Sequence, residues 1–332
     1  MRLHLCQRTI AVLCLVAGLG LAVVAPTHAT EDSLPLASIP LTNTGQFSVV
    51  EVLVNGAGPF QFVLDDGMAT TVIDRRVAEK LKLGAEGEVR VASLGFAGFE
   101  IEDVQAKLVD LTKIWGDGAK DGVIALDLFS DYLTTLDLPG QRLILRRGKL
   151  SPADGDEILD YALVSRTDGE AFEGRQVVTI EVAVGDDSLI ADLNPASWGA
   201  LTLHRDYADK LPLTFEPGVI GNTVNDKGTF SILGAGFRGT LAIAGHKLKN
   251  PGVYFSDAFD HPSLGSGLLD SFEITYDQAQ QRVRIHKPNP ANHPMLVKAA
   301  GLTRQSGHGA DLRTTFNQNL DKVRVMVLLS PT

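Results

Sequence analysis

Several segments of this chain recur in the same order at a nearly constant spacing, and this repeat limits the available folds more than any other feature. Val50-Glu51-Val52 returns 130 positions on as Ile180-Glu181-Val182. Ala78-Glu79-Lys80-Leu81-Lys82-Leu83 returns at the same spacing as Ala208-Asp209-Lys210-Leu211-Pro212-Leu213. Leu136-Asp137 with Arg142-Leu143-Ile144-Leu145 matches Tyr276-Asp277 with Arg282-Val283-Arg284-Ile285, 140 positions on. Independent segments that agree in order and spacing imply two similar units. The units read as strands. Val49 to Val54 alternates in the period of a half-buried strand and closes on Asn55-Gly56, a pair that favours a two-residue hairpin turn.

The stretch Phe60-Gln61-Phe62-Val63-Leu64-Asp65-Asp66-Gly67-Met68-Ala69-Thr70-Thr71-Val72-Ile73-Asp74 is an apolar strand that ends in an acid and a glycine and then turns apolar again. It resembles the retropepsin-like (pepsin-clan) aspartic proteases, in which an apolar strand ends in Asp-Thr-Gly-Ala/Ser before a turn and a second short strand. The resemblance covers roughly residues 45 to 287. It includes the family's late signature of two apolar residues and a glycine: Val123-Ile124-Ala125, with alanine for glycine, and Ser263-Leu264-Gly265 followed by Gly267-Leu268-Leu269. It implies an all-β fold of two pseudo-twofold-related retropepsin-like β-barrel lobes with a few short helices, one of them over 75–81. The lobes would span 30–147 and 175–290, with 148–174 as a charged, turn-rich linker.

In that family one carboxylate is not a catalyst; two share a proton while a water attacks the peptide carbonyl. The acid that the repeat offers opposite Asp65 is Asp192, in Leu189-Ile190-Ala191-Asp192-Leu193-Asn194-Pro195-Ala196-Ser197, at the cost of a small deletion before it and an insertion after it. The resemblance thus implies Asp65 and Asp192 as the catalytic pair, with Gly67 and Asn194 beside them at the substrate. It also implies a flap within Arg90 to Glu102, where Leu94-Gly95-Phe96 would cover an extended peptide. Both triplets depart from the family: Asp66 brings a charge where a hydroxyl is expected, and Leu193 has no side-chain hydrogen bond to give. Two functions follow, an aspartic endopeptidase of weak activity at most, or a pseudoprotease that binds a peptide or partner protein in the same cleft.

Other classes are disfavoured. The formal charge of −10 makes nucleic acid and anionic lipid poor partners. Residues 1–29 read as a secretory leader: Arg2 and Arg8 are basic, 10–24 is apolar but shorter than the roughly 20 residues of a span, and Thr27-His28-Ala29 ends small. Cys6 and Cys14 would leave with it, so the mature chain would be a disulfide-free periplasmic or secreted monomer without an integral span. The histidines lack metal-ligand spacing, so no metal or other cofactor is expected. Gly234-Ala235-Gly236-Phe237-Arg238-Gly239 matches a dinucleotide fingerprint but precedes a strand-like segment, which favours a hairpin turn. The tail, 291–332, ends in a strand-like run before Ser330-Pro331, open to reading as an extra strand or as the start of a PDZ domain.

Overall fold

The structure is a computed structural model that describes residues 34–44, 47–84, 86–151, 156–166, 175–225 and 228–289; the leader and the tail read above lie outside these. The protein is mostly β, 56% strand and 11% helical, with a closed six-stranded barrel.

The first half contains β1 (Ala37–Pro40), β2 (Thr42–Asn43), β3 (Ser48–Val54), β4 (Ala57–Asp65), β5 (Val72–Asp74), α1 (Arg75–Leu81), β6 (Gly87–Phe96), β7 (Phe99–Val109), α2 (Thr112–Trp115), β8 (Gly122–Ala125), β9 (Leu133–Asp137) and β10 (Arg142–Arg146). The expected hairpin is present: Val54 pairs with Ala57 across Asn55 (φ 50°) and Gly56 (φ 76°). Such left-handed values suit asparagine and glycine and match the twist of the flanking strands. Val50, Val52 and Val54 point inward while Glu51 points out. The barrel runs β3-β4-β8-β5-β7-β6 and closes where Leu53 and Val54 of β3 pair with Gly95 and Leu94 of β6. Helix α1 begins where expected, because the Asp74 side chain accepts a hydrogen bond from the Arg76 amide at 2.8 Å.

The second half contains β11 (Ile158–Asp160), β12 (Ala162–Arg166), β13 (Arg175–Val184), β14 (Asp187–Leu193), β15 (Leu201–His204), β16 (Gly218–Asn225), β17 (Gly228–Gly236), β18 (Thr240–Ile243), β19 (His246–Lys249), β20 (Gly252–Ser256), β21 (Ser263–Leu264), α3 (Ser266–Leu269), β22 (Glu273–Asp277) and β23 (Arg282–His286). Its large sheet runs β16-β17-β20-β15-β21-β14-β13-β18-β19, with β12 also on β13. The glycine-rich 234–239 stretch ends β17 and leads into β18. β17 pairs with β16 and β20 while β18 pairs with β13 and β19, so the stretch connects strands that do not pair with each other and is not the expected hairpin turn. Residues 158–166, read from the sequence as linker, are strands. Ile158 to Asp160 pair with β23, and Ala162 to Arg166 pair with β13.

A third sheet draws on both halves in the order β1-β10-β9-β22-β23-β11. At its centre Thr135 faces Thr275, their hydroxyls 2.9 Å apart and buried. Asp137 and Asp277, both buried, organise matching turns, and each turn ends in a glutamine with φ 52°, Gln141 and Gln281. Phe62, Phe96, Phe129, Phe237, Phe255, Phe272 and Tyr276 are the largest fully buried rings, each contributing about 2–3 kcal/mol by burial.

This packing corrects the flap. Leu94 and Phe96 are 0% and 1% exposed, and Phe96 meets Phe129 edge-on with ring centroids 5.6 Å apart. Apolar residues alternating along β6 turn into the barrel because that face is its core. Gly95 faces Leu53 on β3. Leu94, Gly95 and Phe96 are therefore barrel residues.

Candidate functional site

The two hairpins can be aligned by pairing register. In the first, Val50, Glu51 and Val52 face Phe62, Gln61 and Phe60; in the second, Ile180, Glu181 and Val182 face Ala191, Ile190 and Leu189. The strands that follow agree. β4 runs parallel to β8 with Leu64 opposite Ile124 and Asp65 opposite Ala125, while β14 runs parallel to β21 with Leu193 opposite Leu264. The next amide, that of Asn194, donates to the Leu264 carbonyl at 3.0 Å. The residue at the Asp65 place is therefore Asn194. Asp192 occupies the place of Val63, one pleat back along the strand.

A cavity of about 260 Å³ has Asp65 and Asn194 in its lining, whereas Asp192 is not among its lining residues. Phe47, Trp115, Met68 and Val63 supply apolar wall from the first half, with the Phe47 and Trp115 ring centroids 5.6 Å apart. Ala196 and Trp198 supply it from the second, Trp198 resting on Tyr254 at 5.2 Å between centroids. Ser197 and Arg175 complete the polar part. The Asp65 carboxylate accepts a hydrogen bond from the Gly67 amide at 2.8 Å, and Arg175 Nη2 lies 4.0 Å from the same oxygen. A Cβ on Gly67 would come within 2.8 Å of that guanidinium nitrogen, the far end of a flexible side chain that could shift aside. Gln176, next in sequence, donates its amide to the Gly67 carbonyl at 3.1 Å and ties the loop to β13.

Asp192 has a different partner. Its Oδ1 accepts from Arg166 Nη2 at 2.6 Å, with both side chains 13% exposed. Arg166 and Arg175 face each other across the β12–β13 pair, so each acid of the sequence reading meets an arginine from one rung of one ladder. Sequence reasoning missed both arginines, because Arg166 lies inside the stretch that reads as linker and Arg175 directly follows it. It also missed the cavity's two tryptophans, the only ones in the chain.

Asp66 does not face this cavity. It is buried, and the Tyr276 hydroxyl donates to its Oδ2 at 2.9 Å, joining the loop to the shared sheet. Burial, reinforced by the Asp65 charge, pushes the Asp66 carboxyl up to about 8, so it holds a proton at neutral pH. The same pairing and burial hold the Tyr276 phenol well above its ordinary range.

The loops also differ in how tightly the next strand approaches. A Cβ on Gly265 would come within 2.7–2.8 Å of the carbonyls of Gly199, Trp198 and Ser197. Ala125, its counterpart, is accommodated fully buried. Neither Gly67 nor Asn194 is among the residues with positive φ, so neither position requires glycine for its backbone conformation. Among the described residues no group of three or more histidine, cysteine, aspartate or glutamate side chains is placed to hold a metal ion. No described helix is long and apolar enough to cross a membrane.

No family model matches the chain, and no curated protein matches it significantly.

Proposed function

We propose that this is a two-lobed, retropepsin-like pseudoprotease, exported through its leader, that binds a peptide segment in the cavity between Asp65 and Asn194 without hydrolysing it. The fold part of this reading rests on the palindromic strand order of the shared sheet, the Thr135–Thr275 contact at its centre and the matching hairpin registers. The functional part rests on one observation: the place equivalent to Asp65 carries a carboxamide. An asparagine can donate and accept hydrogen bonds but cannot hold or release the shared proton that the aspartic mechanism requires. Asp65 is left as a lone carboxylate beside Arg175, an arrangement suited to recognition.

The lining fits a peptide. Aromatic and methionine walls accept an apolar side chain, while the Asn194 carboxamide, Ser197 and the Asp65–Arg175 pair offer donors and acceptors to a main chain. Because both tryptophans of the chain line the cavity, intrinsic fluorescence reports occupancy directly. Titration with a library of short apolar peptides should change the emission saturably, and Trp198→Ala should weaken binding about tenfold or more. The same peptides should be recovered intact by mass spectrometry across acidic and neutral pH. Cleavage by the wild type that Asp65→Asn abolishes would restore the endopeptidase reading.

A further inference from the structure

A second cavity of about 190 Å³ lies on the other side of the first loop, with Asp66 in its lining where Asp65 lines the first. Its buried part is made by Asp66, Leu126, Val178 and Tyr161, and its exposed rim by Asp127, Leu163 and Gln176. Asp66 is 6% exposed, and its Oδ1 has no hydrogen-bond partner in the structure, since the Tyr276 hydroxyl serves Oδ2. A buried polar oxygen left without a donor is costly. The orphan oxygen, an apolar shaft and a second acid at the rim form a gradient that one ligand chemistry matches.

We propose that this cavity binds a primary alkylammonium, with the ammonium on the Asp66 carboxylate, the methylenes against Leu126, Val178 and Leu163, and Asp127 at the open end. The ammonium donates three hydrogen bonds and supplies the charge that an ionised Asp66 lacks. Other groups acting on Asp66 are Asp65, which opposes its ionisation, and Arg175, which favours it, besides the Tyr276 phenol. Asp127, though on the exposed rim, is shielded enough by the surrounding wall to be pushed toward its protonated form. Binding therefore releases the proton of Asp66: protonated acid and ammonium give carboxylate, bound ammonium and one free proton. The source is either a free diamine or a lysine side chain of a protein.

Calorimetry of the full chain with 1,5-diaminopentane at neutral pH, repeated in buffers of different ionisation heat, tests this. One site and release of up to one proton are expected, with no binding of pentan-1-ol. Asp66→Asn keeps the shape and the acceptor for Tyr276 and should weaken binding more than tenfold. Asp127→Asn, at the exposed rim where folding is not at risk, should weaken it severalfold. Nα-acetyl-lysine methylamide, whose side-chain ammonium is free, binding more tightly than the diamine would assign the site to a protein lysine; the reverse would assign it to a free amine. Absence of binding to the wild type at millimolar concentration, equal binding by both variants, or binding without proton release would overturn the proposal.

Discussion

The loop after β4 and the loop after β14 occupy equivalent places in two hairpins of matching register and carry different groups. The first, Asp65-Asp66-Gly67, keeps an acid and a glycine, and the strand crossing behind it carries Ala125. The second, Asn194-Pro195-Ala196, has neither acid nor glycine, and just past β21 behind it three carbonyls crowd Gly265. A cavity is lined from both loops, although only the first brings a carboxylate to it.

The largest effect expected from breaking this asymmetry concerns Asp66, whose counterpart Pro195 has no titratable group. The folded protein holds the Asp66 proton to about pH 8, whereas the unfolded chain releases it near the ordinary value of 3.8. Between those limits the folded state binds more protons, so this group makes stability fall as pH rises from about 4 to about 8, by on the order of 5 kcal/mol at most. Urea unfolding of wild type and Asp66→Asn across that range should show a sloping difference, the variant gaining most at the alkaline end. A difference flat with pH would mean that Asp66 is not buried as a neutral acid.

Next in size is the crowding behind the second loop. Gly265→Ala should destabilise by about 3 kcal/mol, because backbone carbonyls cannot move aside as a flexible side chain could. The mirror change Ala125→Gly should cost only about 1 kcal/mol, mostly from added freedom in the unfolded chain. Thermal denaturation of the pair would measure the contrast, and equal losses would erase it.

Breaking the Arg166–Asp192 pair should come third. Arg166→Met removes one partner of a contact in which both side chains are 13% exposed, and about 2 kcal/mol should be lost. Peptide binding should change little, since Asp192 does not line the cavity. The smallest effect is expected at the centre of the shared sheet. Thr135→Val leaves the Thr275 hydroxyl buried without its partner and should cost about 1–2 kcal/mol. The Thr135→Val and Thr275→Val double variant should cost less than the two single losses combined, because neither hydroxyl is then stranded.

Much of the fold was legible in the sequence, for reasons that are local. The Asn55-Gly56 turn, the start of α1 at Asp74 and the alternation of Val50, Val52 and Val54 each depend on neighbours a few residues away. The 140-residue spacing of Leu136-Asp137 and Tyr276-Asp277 shows in the structure as adjacent strands of one sheet. The site was less legible, because matching the letter Asp at 192 overrode spacing. Asp65 precedes β5 by the same seven residues that separate Asn194 from β15, and taking those two as partners sets an offset of 129, one short of the flanking 130, where Asp192 needs 127. The flap failed for another reason. Leu94 and Phe96 look like an apolar tip in one dimension, and only closure of β6 onto β3 turns them into core. Nor could Arg166 and Arg175 be placed from sequence, since their partners lie far away along the chain.

The central claim is that Asn194, and not Asp192, is the residue that shares the cleft with Asp65. Carboxyl carbon NMR following the Asp65 signal through a pH titration tests it in three proteins. Two carboxyls in close contact titrate as a coupled pair, whereas distant ones do not. The titration of Asp65 should be unchanged in Asp192→Asn and should become coupled to a new carboxyl in Asn194→Asp. A titration that changes in Asp192→Asn and stays the same in Asn194→Asp would contradict the account and return Asp192 to the pair.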